Sequence, residues 1–430
     1  MDLRRVPTRD QDVASDPLLV AAIRAEIERD GPLTFARFMD VALYDPARGY
    51  YRGAVARPGR AGDFLTAPEA HPLFGRTLAG FALVVHAAIG APSTFTIHEH
   101  GAGTGALAGP LVEALLTAEG APRSVRYLVA ELEPSRLEAV RAAIADRERV
   151  IVEPDDGRPI DGLVIANEVL DALPTHRVLA RDGMLREIVV GLGPDGALVD
   201  VEAAPSTHAL AARLAVESIA LEDGQRAEIC LAVDDWIGHA AAGLGRGVMI
   251  LIDYGYPAPD LYDPRQRSAG TLATYLGHQV GEDPYRAIAR QDLTAHVDLT
   301  AVERAAARAG LDLIGTTTQA DFLSALGAGE LLVAAQTRPD ATLQTYLEAR
   351  SALVRMIDPG SMGRFRVMAF GRDLEPEIRL AGLMGGGVVG ARRDSDSPDP
   401  SPASSTDEQA SSNRPFDRFP PAGRLGGAGS

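Results

Sequence analysis

The sequence predicts an α/β fold built on a seven-stranded, doubly wound, Rossmann-like sheet, and three observations predict it. From residue 94 onward, short apolar runs alternate with helical stretches, the βαβ pattern of a parallel sheet. A glycine-rich turn, Gly101-Ala102-Gly103-Thr104-Gly105, separates the first run from the first helix. Two late apolar runs, at 311–316 and 365–370, suit further strands with a final antiparallel edge.

Taken in order, helical spacing covers 18–27, stopped by Gly31-Pro32, and 34–43, which runs into the turn Asp45-Pro46-Ala47-Arg48-Gly49. Thr66 and Glu69 are spaced as a capping box with Pro68 in the first turn, so 62–69 reads as a loop closing on a helix start. Strands follow at 94–99 and 127–131, the second ending in an acid, with helices at 106–118 and 134–147 and further strands at 149–152 and 162–166. Short antiparallel strands between 177 and 201, around the turn Gly193-Pro194-Asp195-Gly196, then break the alternation and predict an inserted cap. The pattern resumes with a helix at 232–242 and a strand at 248–253, is interrupted again over 254–290, and resumes with a helix from Thr300. Within 291–299 polar and apolar residues alternate, which predicts one strand with Asp292, Thr294, His296 and Asp298 on a solvated face. The expected division is a helical N-terminal segment with a cofactor-covering loop (1–93), a core (94–373) with insertions near 175–230 and 254–298, and a C-terminal extension (374–430). From 394 the extension is rich in Ser, Pro, Asp and Gly without apolar period, the composition of a disordered tail.

Composition narrows the chemistry. The 430 residues carry a formal charge of −17, a poor match for phosphate backbones or anionic lipid, so neither nucleic acid nor membrane is expected as a partner. All 42 basic residues are arginine, and the absence of lysine excludes a P-loop lysine, a Schiff base and a lysine general base. The single cysteine, Cys230, excludes an intrachain disulfide and a thiolate zinc cluster. The residues after Met1 lack the apolar core of a secretion signal, and the apolar stretch 78–91 is too short to cross a bilayer, so a cytoplasmic setting is expected. A homodimer stays an open alternative for the assembly.

The strongest chemical signal is Glu99-His100-Gly101-Ala102-Gly103-Thr104-Gly105 between a strand and a helix. Glycines there let backbone amides approach a ligand, and the helix amino terminus favours negative groups. The spacing serves NAD and S-adenosylmethionine equally, and Glu131 at the end of the second strand is placed to accept hydrogen bonds from the ribose of either. A second constellation, Asn167-Glu168-Val169-Leu170-Asp171, delivers an amide and two carboxylates to the rim beyond the fourth strand. Carboxylates three apart can both face one cation; the alternative is that Asn167 and Glu168 cap a following helix. His98 and His100 share a face, but the pattern supplies no further clustered metal ligands.

Gly62 to Glu69 with Phe74-Gly75, the glycine loop, Asn167 to Pro174 with His176, Ile252-Asp253-Tyr254-Gly255, Thr271-Leu272 with His278, Asp292 to Asp298 and Met362-Gly363-Arg364-Phe365 together resemble the MidA family. Its members are S-adenosylmethionine-dependent methyltransferases, and its mitochondrial members are protein arginine methyltransferases needed to assemble respiratory complex I. The resemblance spans about 18–373 and implies a class I methyltransferase core, S-adenosyl-L-methionine as cofactor and a protein or peptide acceptor. It implies that Gly101, Gly103 and Gly105 line the cofactor with Glu99, Glu131 and Asn167, that Asp63 closes over it, and that Glu168 and Asp171 orient a cationic acceptor and take its proton. This chain departs from the family pattern at His100, Ala102 and Thr104, and at Ala289-Arg290 where a Pro-Gly pair is usual. A nicotinamide-dependent oxidoreductase and a non-catalytic assembly factor on the same fold remain the rival readings.

Overall fold

A computed structural model describes residues 13–52, 65–337 and 341–374. Seven strands form the main sheet: β1 (Thr94–His100), β2 (Ser124–Ala130), β3 (Val150–Pro154), β4 (Ile160–Asn167), β5 (Leu244–Asp253), β6 (Asp312–Thr318) and β7 (Arg366–Arg372). Their order is β6-β7-β5-β4-β1-β2-β3. The strands β1 to β5 pair in parallel, whereas β7 runs antiparallel to both β5 and β6. The expected antiparallel edge is therefore corrected: β7 lies one place in from the edge, and β6 is the edge. The run at 365–370 is the more apolar of the two, as a strand flanked on both sides requires, whereas the run at 311–316 carries Asp312, Gly315 and Thr316 and takes the edge.

Helices cover both faces of the sheet, as parallel strands require. On one face α3 (Leu73–Ala88), α4 (Ala108–Thr117), α5 (Pro134–Ala143) and α8 (Leu343–Ile357) bury Phe74, Phe81, Leu111, Val140 and Met356 against Ile97, Tyr127, Ile165 and Ile250. On the other, α6 (Ala232–Ala242) and α7 (Leu299–Arg308) bury Ile237, Ala240 and Val302 against Leu128, Val164 and Met249. Alternate residues of β4, Val164 and Ile165, thus enter opposite cores, which is the period of two seen through a fully covered strand.

The two N-terminal helices, α1 (Pro17–Asp30) and α2 (Phe35–Tyr44), begin on side-chain caps. Asp16 accepts from Leu18 and Leu19 N–H at 3.1 and 3.0 Å, and Thr34 accepts from Arg37 N–H at 3.1 Å. Their apolar residues Leu19, Ile23, Phe35, Phe38 and Met39 do not join the main sheet. They share a separate core with Val190, Ile288 and Leu293 from the interruptions of the α/β pattern. The first interruption is a second sheet, in which Met184–Leu192 pairs with Leu33–Thr34, His176–Arg181 and Leu198–Ala203, and Arg226–Ile229 flanks His176–Arg181.

The single strand expected over 291–299 does not form. Asp292–Thr294 joins a three-stranded sheet, while Val297–Asp298 pairs in parallel with Gly255–Tyr256. Nor is its polar face solvated: Asp292, Thr294 and Asp298 are buried. The two acids have different partners, Tyr51 for Asp292 and the α7 amino terminus for Asp298, so their alternation marks buried hydrogen bonding rather than water.

Candidate active site

The strand order reverses between β1 and β4, which are adjacent, and a ligand crevice belongs beyond their carboxyl ends. A cavity of about 760 Å³ opens there. The glycine loop forms one wall, with Gly101, Gly103 and Gly105 at φ of 69°, 55° and 76°, a region that side chains rarely adopt. A Cβ on Gly101 would meet Val169 Cγ2 at 2.8 Å and one on Gly105 would meet Val140 Cα at 2.9 Å. Gly103 differs, because its Cβ would meet nothing nearer than Gly101 O at 4.0 Å and would stand in the cavity. Glu131, across the cavity floor, accepts from Gly103 N–H at 2.5 Å and from Leu132 N–H at 3.2 Å. Burial raises its carboxyl above the usual range.

The second wall is the turn after β4. Glu168 adopts a left-handed φ of 53°, and its N–H donates to Ile252 O at 2.8 Å. Its Oε1 accepts from Ala67 N–H at 3.3 Å and from the Asn167 amide at 3.1 Å. Burial first, and then the charge of Asp171, push the Glu168 carboxyl up to about 8. Asn167 Oδ1 is buried without a hydrogen-bond partner among the described residues and lines the same cavity.

The expectation that Glu168 and Asp171 face one cation is corrected here. Glu168 lines the large cavity, but Asp171 lines a separate cleft of about 20 Å³ and accepts a hydrogen bond from Tyr254. The cause is Asp253, whose Oδ2 accepts from Leu170 N–H at 2.9 Å and Asp171 N–H at 3.3 Å and rolls the chain away from the cavity. No helix follows the turn, so helix capping by Asn167 and Glu168 is also excluded. Burial lifts Asp171 to about 6 and puts Asp253 well above the usual carboxylate range.

Glu99 lines the cavity from beneath the glycine loop, accepts from Tyr127 OH at 2.6 Å, and is raised by burial to about 7. The Thr66–Glu69 capping box forms as expected, with Thr66 Oγ1 donating to Glu69 at 3.0 Å. Asp63 lies outside the described residues, as does the extension from 375 onward. His98 and His100 stack at 4.4 Å, and burial lowers both, His100 to about 3. Among the described residues no group of three or more His, Cys, Asp or Glu could hold a metal ion. Sequence reasoning gave no role to Tyr44, Tyr51, Trp236 or Asp155, all of which line the cavity, nor to Asp253. For Asp253 a signal existed, since it ends the strand next to β4; the tyrosines carry none, being far away in sequence.

Comparison with known proteins decides between the cofactors. The family model for S-adenosyl-L-methionine-dependent methyltransferases of this kind matches residues 77–317. The chain belongs to this MidA-like methyltransferase family. A superfamily member from Burkholderia thailandensis, solved bound to S-adenosyl-homocysteine, is 35% identical with a TM-score of 0.76, over 86% of this chain and 96% of that one. A Drosophila melanogaster relative named "Protein arginine methyltransferase NDUFAF7 homolog, mitochondrial" is 26% identical over 84% of this chain and 88% of that protein. The human relative, "Protein arginine methyltransferase NDUFAF7, mitochondrial", is also 26% identical, over 83% of each. This is an enzyme that uses S-adenosylmethionine, and the nicotinamide and non-catalytic readings are set aside. The cytoplasmic expectation is corrected as well, because these relatives are named as mitochondrial proteins. No helix among the described residues is long and apolar enough to cross a membrane.

The residues present fit the cofactor. Gly103 leaves open the volume that a side chain would fill, Glu131 offers a buried carboxylate beside it, and Asn167 Oδ1 awaits a donor.

Proposed function

We propose that this methyltransferase acts on an arginine side chain of a protein, with Gly101, Gly103, Glu131 and Asn167 holding the cofactor and Glu168 facing the acceptor; Gly105, expected beside the cofactor, instead packs the loop against α5. One observation carries the reading: Glu168, half-buried on the turn after β4, lines the same cavity as the glycine loop, accepts from Ala67 N–H and the Asn167 amide, and has no ion-pair partner among the described residues. A guanidinium entering there supplies the missing charge, and the names of the relatives make arginine the natural acceptor. Bound S-adenosylmethionine supplies an activated methyl on a sulfonium, with a neutral thioether as leaving group. The chain's own task is to position the nitrogen and remove its proton. Glu168, held near 8, is protonated before the acceptor arrives. The incoming cation favours its carboxylate, so one proton leaves on binding, and the carboxylate then accepts the proton that the methylated nitrogen must lose. The N-terminal helices and both insertions, which share one core, would form the cap that admits the acceptor.

The test is methyl transfer from labelled cofactor to arginine peptides and their lysine counterparts. Wild type should label arginine. Glu168→Gln should bind S-adenosyl-homocysteine as wild type does and lose about two orders of magnitude or more in transfer. Full activity in that variant would remove Glu168 from the chemistry, and label found only on lysine would overturn the acceptor.

A further inference from the structure

One lobe of the cavity is built from elements that the glycine-loop fold does not need. Tyr44 at the end of α2 and Tyr51 in the short 3-10 turn Tyr50–Arg52 both line it, their rings stacked at 5.5 Å and 19°. Both hydroxyls are already engaged. Tyr44 OH donates to Ala172 O at 2.8 Å, in the turn that carries Glu168. Tyr51 OH donates into the Asp292 carboxylate, 2.9 Å from each oxygen. Tyr50 packs edge-on against Tyr51 at 5.0 Å and 85°, and Asp292 is itself buried. With the hydroxyls spoken for, these two side chains offer the cavity aromatic carbon, held by bonds at both outer ends. The same cavity is also lined by the carboxyls of Glu69 and Glu168.

Fixed aromatic surface beside carboxylates is the environment that a planar, weakly hydrated cation prefers. A guanidinium stacks on rings while its N–H groups reach carboxylates, whereas a compact ammonium keeps its water and gains less. We propose that Tyr44 and Tyr51 form the acceptor subsite and select a guanidinium over an ammonium, with Asp292 as the positioning residue that fixes the Tyr51 ring. This rests on the arginine reading above and assigns it a specificity element. Tyr44 adds a mechanical link, because its bond to Ala172 ties the aromatic lobe to the turn of the acceptor acid.

The experiment uses the full-length enzyme saturated with S-adenosyl-homocysteine, titrated calorimetrically with one short peptide carrying arginine or lysine at its centre, alongside turnover with S-adenosylmethionine. Wild type should bind the arginine peptide more tightly. Tyr51→Leu should weaken that binding, and raise KM, by about five- to thirtyfold, while changing kcat less than about threefold and leaving S-adenosyl-homocysteine affinity unchanged. Tyr51→Phe keeps the ring and loses the bond to Asp292, so it should fall between, retain the arginine preference, and be matched by Asp292→Asn. Equal binding of both peptides by wild type, or unchanged arginine binding in Tyr51→Leu, overturns the subsite. If Tyr51→Leu loses S-adenosyl-homocysteine binding through misfolding, Tyr51→Phe and Asp292→Asn decide: a raised KM with normal product binding supports the proposal, and an unchanged KM overturns it. The two readings fail separately. Arginine binding that depends on Tyr51 without any methyl transfer would sink the proposed reaction and keep the subsite; transfer to arginine indifferent to Tyr51 would do the reverse.

Discussion

Among the three loop glycines, Gly103 is the one whose missing side chain faces the open cavity rather than packed protein. Side chains at Gly101 and Gly105 would strike Val169 and Val140, so replacing either is first a folding problem. Gly103→Val meets open cavity instead, and its effect should fall on binding. The expected result is loss of S-adenosyl-homocysteine binding by calorimetry with an unchanged circular dichroism spectrum, apart from the modest strain of a side chain at φ 55°. Normal product binding would move the cofactor off this loop. Glu131 gives a graded companion. Its carboxylate is buried, and losing a hydrogen bond to a charged acceptor costs about 1.5–3 kcal/mol, so Glu131→Ala should weaken the product about tenfold or more. An unaltered affinity would show that Glu131 serves only to tether Gly103 N–H.

The turn after β4 carries Glu168, and its geometry comes from Asp253 at the end of β5. Asp253 accepts from Leu170, Asp171 and Tyr254 N–H groups at 2.9, 3.3 and 2.8 Å, so Asp253→Ala would strand three buried donors. Each costs about 1–3 kcal/mol when left unmade, and the variant should melt well below wild type. Because Glu168 rides on the same turn, methyl transfer should fall more than tenfold while product affinity, set by the glycine loop, changes little. Equal losses in both would mean general unfolding rather than a displaced turn. This element also marks what the sequence could tell. The strands and helices over 94–167 and 232–253 are legible because each carries its own period and its own stop signal, as with Gly120 after α4 or Pro134 opening α5, whereas the helix His208–Val216 and the strand Arg226–Ile229 inside the insertion are not. The glycine loop and Glu131 were legible because backbone approach demands glycine at fixed spacing. The opposite facing of Glu168 and Asp171 was not, since it depends on a hydrogen bond from a residue more than eighty positions away. Likewise 291–299 alternates as a solvated strand does, but only the fold reveals that Tyr51 and α7 supply the polar partners.

Across the whole molecule, burial has raised several carboxyls together, and this fixes how stability must vary with pH. Glu168 and Glu217 are pushed up to about 8, Glu99 to about 7 and Asp171 to about 6, against ordinary values of 4.5 for Glu and 3.8 for Asp. Each acid therefore binds more protons folded than unfolded between its ordinary and its raised value, and stability must fall as pH rises through that window. His100 and His296, lowered by burial to about 3 from 6.5, act in the opposite sense but only below pH 6.5, where the unfolded chain takes up their protons. Above pH 6.5 the raised carboxyls set the slope, joined near pH 9 by the Cys230 thiol, which burial pushes up to about 12. The melting temperature should decline from pH 6.5 to pH 8.5, by about 1 °C for each kcal/mol lost in a chain of this size. Glu217 isolates the effect, because it is buried outside the large cavity against Asp298, 3.8 Å from Arg213 Nε, and the neighbouring acid adds to burial in raising its carboxyl. Glu217→Gln keeps the shape and cannot ionise, so it should flatten the decline and melt above wild type at pH 8.5, with product affinity unchanged. Identical slopes in variant and wild type would show that Glu217 ionises in the folded protein without penalty, and that the decline, if present, belongs to the carboxyls of the active site.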